Sequence, residues 1–329
     1  MNMSKIIKKI RQPINSDMNK FDVFLQINLK SNVKIINSVV NYMIKTKGKQ
    51  FRSILCLLSS RLLNEKPNEL SYLSASTVEC LHVATLLHDD VVDDADIRRG
   101  WPTINKIWKN KISILIGDYL FSKSLINIAK FQDLHCIDIL SEVSKRLSEG
   151  EIFQIEKAMN KSMTETEYLK MIADKTASLI SASCYLGFYS NNKEEKELCI
   201  AIKNYGEYLG IAYQIKDDIF DVIGNIENTG KSSNLDLKKN MLTLPYIHLL
   251  EKYNKKEKKD FLIKIKKFIN KNEVSKIKRM ILESGGVDYS NDKIKYYSEM
   301  AINELNKFPD SVYKDSLIEA VDFNISRKY

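Results

Sequence analysis

Two short stretches of this chain place carboxylates where a helix would otherwise bury apolar groups. The first is Leu86-Leu87-His88-Asp89-Asp90-Val91-Val92-Asp93-Asp94, and the second is Tyr213-Gln214-Ile215-Lys216-Asp217-Asp218-Ile219-Phe220-Asp221. On a helix, positions i and i+4 share a face, one turn apart and roughly 6 Å between Cβ atoms. Asp89 with Asp93, and Asp217 with Asp221, therefore double a negative charge, which a nearby cation must offset. Hard oxygen ligands in this number suit Mg²⁺, which keeps waters and bridges to phosphate oxygens. One such cluster alone reads equally well as a helix end with surface acids. Both, however, have apolar flanks (Val83-Ala84, Leu86-Leu87, Ile211-Ala212), and two alike, at 89 and 217, suggest opposed helices sharing one metal-bound diphosphate.

Such a ligand also needs cations, preferably the planar fork of Arg for phosphate oxygens. Arg98 and Arg99 follow the first acid cluster, Lys49 and Arg52 follow Gly48, and Lys175-Thr176 and Gly230-Lys231 stand further along. Singly, each is more often a surface charge; together they are informative.

The elements that position these residues are helical throughout. Ile54, Leu55, Leu58, Leu62 and Ile112, Leu115, Ile116, Tyr119, Leu120 recur at helical spacing. Helices are expected at about 50–63, 77–94, 113–130, 134–158, 165–190 and 195–223. A loop is expected over 224–234, with breaks at Arg98 to Pro102, Ser284-Gly285-Gly286 and Phe308-Pro309. No strand and no solenoid repeat stands out. The expected fold is all-α, a single-domain helical bundle over residues 1–329.

Composition narrows the class. The 329 residues are 44% hydrophobic with only 11 Gly and 5 Pro, which fits long helices and short connections. No uninterrupted apolar run approaches the ~20 residues that span a bilayer, and the basic start, Met1 to Lys20, lacks the apolar core of a secretory signal. A cytoplasmic protein with no transmembrane segment is the expectation. The cysteines (Cys56, Cys80, Cys136, Cys184, Cys199) show no CxxC spacing and read as reduced core residues. The net charge of +9 comes largely from Lys-rich stretches such as 252–259 and 264–279, read as solvated helix faces. No nucleic-acid-binding signature accompanies it.

The segment LLHDDVVDDADIRRGWPT at 86–103 resembles the first aspartate-rich motif of the trans-polyprenyl diphosphate synthases, and KDDIFD at 216–221 resembles their second. Gly48-Lys49-Gln50-Phe51-Arg52, Gly117-Asp118-Tyr119, Glu149-Gly150-Glu151, Lys175-Thr176-Ala177 and Thr243-Leu244-Pro245 match lesser landmarks of that family in order. The resemblance runs from about 45 to 250. It implies a bundle of the isoprenoid synthase type around a central cavity. The implied enzyme is a prenyltransferase that condenses isopentenyl diphosphate with an allylic diphosphate, uses two or three Mg²⁺ ions and commonly forms a homodimer. By the same resemblance Asp89 and Asp93, with Asp90 nearby, hold metal on the allylic diphosphate, and Asp217, supported by Asp218 and Asp221, holds metal from the other side. Arg98, Lys175, Thr176, Gln214 and Lys231 match allylic-substrate positions; Lys49, Arg52, His82 and Arg99 match the isopentenyl diphosphate site. His82 would otherwise read as a lone structural histidine.

In that family a bulky aromatic just before the first cluster stops chain growth. Here Ala84 and Thr85 are small, and Cys80 and Thr77 continue a low-volume face. The expectation is a long product that partitions into membranes, as from octaprenyl or heptaprenyl synthases, with Phe121 or Phe153 as candidate floors. Small residues that merely permit close helix packing are the plainer alternative, and a C15 or C20 product its consequence. Gln50 and Ser53 replace the usual Arg and Pro. Asn240-Met241 replaces a phosphate-contacting lysine, for which Lys238 or Lys239 is the candidate substitute. A terpene cyclase needs no isopentenyl site, so Lys49, Arg52 and His82 argue against one. A regulatory synthase subunit usually lacks intact aspartate clusters, and both are whole here.

Overall fold

The computed structural model describes residues 3–160, 162–223, 241–270 and 273–327. The chain divides into two compact units, each described by itself. Unit 1 comprises Met1–Lys145, Leu179–Gly206 and Asn303–Ala320; unit 2 comprises Arg146–Ser178, Glu207–Ile302 and Val321–Tyr329.

The helices begin with α1 (Met3–Arg11), α2 (Asn15–Asn28), α3 (Lys34–Lys45), α4 (Phe51–Ser60) and α5 (Glu69–Val92). They continue as α6 (Ile104–Ala129), α7 (Leu134–Asn160), α8 (Glu165–Ile172), α9 (Ser178–Asn192) and α10 (Lys196–Ile223). The C-terminal third holds α11 (Leu244–Glu251), α12 (Lys255–Asn270), α13 (Val274–Glu283), α14 (Gly286–Leu305) and α15 (Val312–Ser326). The all-α expectation holds, with one small departure. Ile97–Arg98 and Trp101–Pro102 form a two-residue antiparallel ladder across the break after α5. Arg99 (φ 54°) and Gly100 (φ 79°) turn the chain through the left-handed region between them, so a segment read as a break is a tight hairpin.

The long α5 starts earlier than its apolar spacing suggested. Asn68 caps it, its side chain accepting from the Ser71 backbone amide at 2.8 Å, while Ser71 Oγ accepts from the Asn68 amide at 3.2 Å. This reciprocal pair satisfies two amides that a helix start leaves open. In unit 1, α5 packs against α6, α4 and α2. A buried polar seam crosses this packing: Asn127 donates to Ser76 Oγ at 3.1 Å, and Asn28 donates to Asn127 at 2.8 Å. α6 is interrupted at Lys109, whose dihedrals (φ 73°, ψ 159°) are not helical, which is why regular apolar spacing began only near 113.

Helices α5 and α6 are long and apolar enough, by length and composition, to cross a membrane. The expectation of no such segment rested on uninterrupted apolar runs, which Glu79, His82 and Lys123 break without lowering the average enough. Most of the apolar stretch of α5 is buried within the protein.

Helix α9 approaches α4 at Gly187, where an added Cβ would stand 2.1 Å from the Cys56 carbonyl oxygen. Backbone on both sides leaves little room to yield, so Gly187→Ala is expected to cost about 1–3 kcal/mol. Calorimetry should record a melting temperature lower by several degrees; an unchanged value would contradict this contact.

Unit 2 is built on a core that includes Tyr168, Ile172, Ala212, Ile215, Ile219, Val222, Leu244, Tyr246 and Ile281. On α10 the buried residues 212, 215, 219 and 222 form one stripe. The expected helix over 165–190 is instead α8, a π turn at Ala173–Ala177 and α9. The break expected at 284–286 falls at the junction of α13 and α14, with Gly286 opening α14, and that at 308–309 falls between α14 and α15. The loop expected over 224–234 lies outside the described residues.

Candidate active site

Both aspartate clusters share one register. The apolar stripe of α5 (Leu73, Thr77, Cys80, Ala84, Leu87) is buried, which turns Asp89 and Asp93 to the opposite side. Asp90 falls at the boundary and is 3% exposed. On α10, Asp217 and Asp221 lie away from the core stripe, and Asp218, at the boundary, is 5% exposed. In the first cluster Asp90 is buried while Asp89, Asp93 and Asp94 are more accessible, and in the second Asp218 is buried while Asp217 and Asp221 are more accessible.

Burying a carboxylate requires partners, and each has them within its own unit. The hairpin after α5 returns Arg98 to Asp90, with Nε and Nη2 each 2.8 Å from Oδ1. Asp218 accepts from the Tyr168 hydroxyl and the Gln214 amide, both at 2.7 Å. Gln214 in turn accepts from Thr176 Oγ1 at 2.8 Å. A continuous relay therefore links Thr176, Gln214, Asp218 and Tyr168.

In unit 1 the structure gathers Arg52, His82, Arg98 and Arg99. Arg52 Nη1 donates to His82 Nε2 at 3.1 Å. The Arg99 guanidinium lies against Gly48, where a Cβ would stand 2.0 Å from Nη1, so a larger residue there would push this arm aside. Lys49, next in sequence, is exposed. Burial, then Arg52, Arg99 and Arg98, hold the His82 pKa well below its usual value. His82 is thus neutral, with Nε2 accepting and Nδ1–H left as a donor.

This has a consequence for stability. The unfolded chain protonates His82 below about pH 6.5, whereas the folded chain does not, so stability falls as pH drops through that value. His82→Gln is expected to flatten the decline between about pH 6.5 and 5. Melting curves across that range test it; an unaltered decline would count against a neutral His82.

The departures Gln50 and Ser53 have their own partners. Gln50 caps α4 in the left-handed region (φ 51°), is buried and donates to Asp22 at 3.0 Å. Ser53 donates to Glu79 at 2.7 Å, and burial outweighs this bond and nearby cations to raise the Glu79 pKa. Ser53 and Gln50 therefore serve the packing of α4, α5 and α2.

Of the chain-length residues, Ala84, Cys80 and Thr77 are buried. Thr85 is partly exposed, its hydroxyl satisfied by the His82 carbonyl at 2.8 Å. Cys80 also lines a small pocket, partly open to solvent, with Leu25, Leu29, Met43, Val83 and Leu120 on its apolar side and Asp22, Lys47, Gln50 and Glu79 on its polar side. Phe121 is partly buried. Phe153 packs against the unit 2 core, with Lys157 Nζ 5.2 Å from its ring centre.

In unit 2 the π turn carries Lys175 and Thr176. π turns add a residue to a helix and often mark functional sites. Arg146 braces this one: its Nε donates to Asp174 at 2.7 Å and its Nη2 to Glu207 at 2.6 Å. Burial works to raise the Asp174 pKa, but Lys170 and Arg146 together hold it below the usual carboxylate range. Lys175 Nζ reaches Glu151 at 2.5 Å and Gln154 at 3.1 Å. Gln154 also donates to Met241 Sδ at 3.1 Å, at the position that departs from the family pattern. Asp217 pairs with Arg327, a partner that sequence reading missed because nothing in the pattern ties a solitary C-terminal arginine to 217. Tyr168 was missed likewise. Lys231, Lys238 and Lys239 lie outside the described residues.

Among the described residues, no three His, Cys, Asp or Glu groups converge as a ready metal cage. What each helix offers is a pair of accessible aspartates. This hard, incomplete oxygen set fits Mg²⁺, which takes one or two carboxylates and completes its shell with water and phosphate.

Comparison with known proteins agrees. The family model described as polyprenyl synthetase matches residues 33–283. The chain is 29% identical to the octaprenyl diphosphate synthase of Haemophilus influenzae, over 98% of both chains. The crystal structure of a decaprenyl diphosphate synthase from Rhodobacter capsulatus superposes with a TM-score of 0.88 at 31% identity, covering 97% of this chain and 98% of that one. A polyprenyl synthase from Caulobacter crescentus, complexed with calcium and isoprenyl diphosphate, gives 0.87 at 28% identity over 98% of both chains. This chain belongs to the polyprenyl synthetase family and is a prenyltransferase of the isoprenoid synthase fold.

Proposed function

We propose that the chain makes a long-chain all-trans polyprenyl diphosphate, a quinone side-chain precursor, by repeatedly condensing isopentenyl diphosphate with an allylic diphosphate. The observation that carries this reading is the cluster of Arg52, His82, Arg98 and Arg99 beside the aspartates of α5. A carboxylate pair on α5 and a cation cradle supplied by α4 and the hairpin after α5 suit two anionic groups, one metal-bound and one not.

Asp89 and Asp93, together with Asp217 and Asp221, would hold the magnesium. When bound, it neutralises charge building on the departing diphosphate and so favours ionisation of the allylic C–O bond. Arg98, Lys175, Thr176, Gln214 and Lys231 bind that diphosphate, and preorganised donors stabilise its growing charge. Asp90 and Asp218 act by position: one aims Arg98, the other fixes Gln214 and through it Thr176. Lys49, Arg52, Arg99 and the Nδ1–H of His82 hold isopentenyl diphosphate, whose double bond attacks the allylic carbon. The proton lost to restore the alkene passes to the released diphosphate.

Incubation with radiolabelled isopentenyl diphosphate, farnesyl diphosphate and Mg²⁺ tests the reading. Products longer than C20 are expected. Arrest at C20 would overturn the long-chain assignment, and a terpene cyclase would leave isopentenyl diphosphate unconsumed.

We further infer one polyprenyl synthetase domain over 1–329, acting as a homodimer in the cytoplasm. Ile107, Ile114, Leu115, Leu125 and Ile126 are exposed along one side of α6, an apolar stripe suited to a second copy. Light scattering should give about twice the chain mass, and Ile114→Lys should shift it toward the monomer; a monomeric wild type would oppose this. Five free, buried cysteines suit a reducing compartment.

A further inference from the structure

We propose that Arg327 is the resident counter-ion of Asp217, so that a divalent cation engages this aspartate strongly only together with a diphosphate. The inference rests on the reading of Asp217 as a metal ligand. Arg327 Nη2 pairs with Asp217 Oδ1, and its side chain is only 3% exposed. The guanidinium stacks over Tyr213 and Phe220, 4.3 and 4.9 Å from their ring centres. Nearby, Lys216 Nζ donates to the Ile325 carbonyl at 3.2 Å, which ties the same C-terminal segment to α10.

A guanidinium stays charged at any working pH, and two aromatic faces favour keeping it in place. A lone dication approaching Asp217 therefore meets a carboxylate already neutralised and a second positive charge a few ångströms away. In a partly buried site that repulsion is poorly screened. A diphosphate brings several negative charges, which reverse the sign and let metal and guanidinium share the site. In the first cluster the guanidinium of Arg98 rests on buried Asp90.

Mn²⁺ binding to the full chain, followed by the spin-resonance signal of the free ion without diphosphate, tests this. Arg327→Gln and Arg327→Met are expected to bind Mn²⁺ about tenfold more tightly than wild type, while Arg327→Lys, which keeps the charge, stays near wild type. Met preserves apolar packing against Tyr213 and Phe220, so it decides the matter if Gln impairs folding. Unchanged or weaker binding by a folded neutral variant would overturn the proposal. A Lys variant that behaves like Met would do the same, since the effect would then come from packing. Adding Asp217→Asn to Arg327→Met should abolish the gain. If the gain persists, the metal reading of Asp217 fails; if no gain appears yet Asp217→Asn weakens Mn²⁺ binding with inorganic diphosphate present, only the counter-ion inference fails.

Discussion

Asp89→Ala and Asp217→Ala are each expected to lower turnover by on the order of 10³-fold or more; Asp89→Ala should leave the fold nearly intact, whereas Asp217→Ala also unpairs the buried Arg327 and should lower the melting temperature. Both carboxylates lie off the apolar stripes of α5 and α10, so removing them opens no cavity. Their proposed contribution is made where negative charge develops on the leaving diphosphate, which places the effect mainly on kcat. Asp90→Ala should differ from Asp89→Ala in the same way. It strips Arg98 of a buried acceptor, so both melting temperature and activity should fall. Steady-state kinetics beside calorimetry separates the cases; full turnover in either Asp89→Ala or Asp217→Ala would refute the site assignment.

Ala84→Phe is expected to shorten the product toward C15–C20 while the primer is still consumed. Ala84 and Cys80 lie one turn apart on the buried side of α5, and Cys80 lines a small pocket of unit 1. A long side chain on a helix leans toward its N-terminus, which would carry a ring at 84 toward Cys80 and the space beside it. Each isoprene unit that such an apolar path accepts gains about 0.8 kcal/mol per buried CH₂, so a ring that blocks it removes the gain for every later unit. Chromatography of dephosphorylated products reads the change. The same substitution overpacks a buried position at about 1–3 kcal/mol, so a lower melting temperature is expected as well. An unchanged product distribution would count against growth along this side of α5.

The aspartate clusters were legible in the sequence because helical periodicity makes a carboxylate pair inside an apolar run conspicuous. That Asp90 and Asp218 would be the buried members was also encoded, since a step of one residue turns the side chain about 100° toward the core stripe, but their partners were not. Arg98 reaches Asp90 only because Arg99 and Gly100 take the left-handed region and fold the chain back. Tyr168 and Arg327 reach Asp218 and Asp217 across 50 and 110 positions, a separation that no local pattern spans. Helix limits erred where local chemistry overrode spacing: at the Asn68 cap, at the Lys109 break and at the π turn of 173–177. The departures Gln50 and Ser53 stand in the sequence only as replacements of the usual Arg and Pro; their bonds to Asp22 and Glu79 give them a packing role that only the folded chain reveals.

Anomalous diffraction from crystals grown with Mn²⁺ and an unreactive allylic diphosphate analogue would test the central claim most directly. The account predicts manganese peaks about 2.0–2.3 Å from oxygens of Asp89 or Asp93 and of Asp217, all joined through a single diphosphate. Metal bound at one helix only, with the diphosphate elsewhere and the other aspartates turned to bulk solvent, would contradict it.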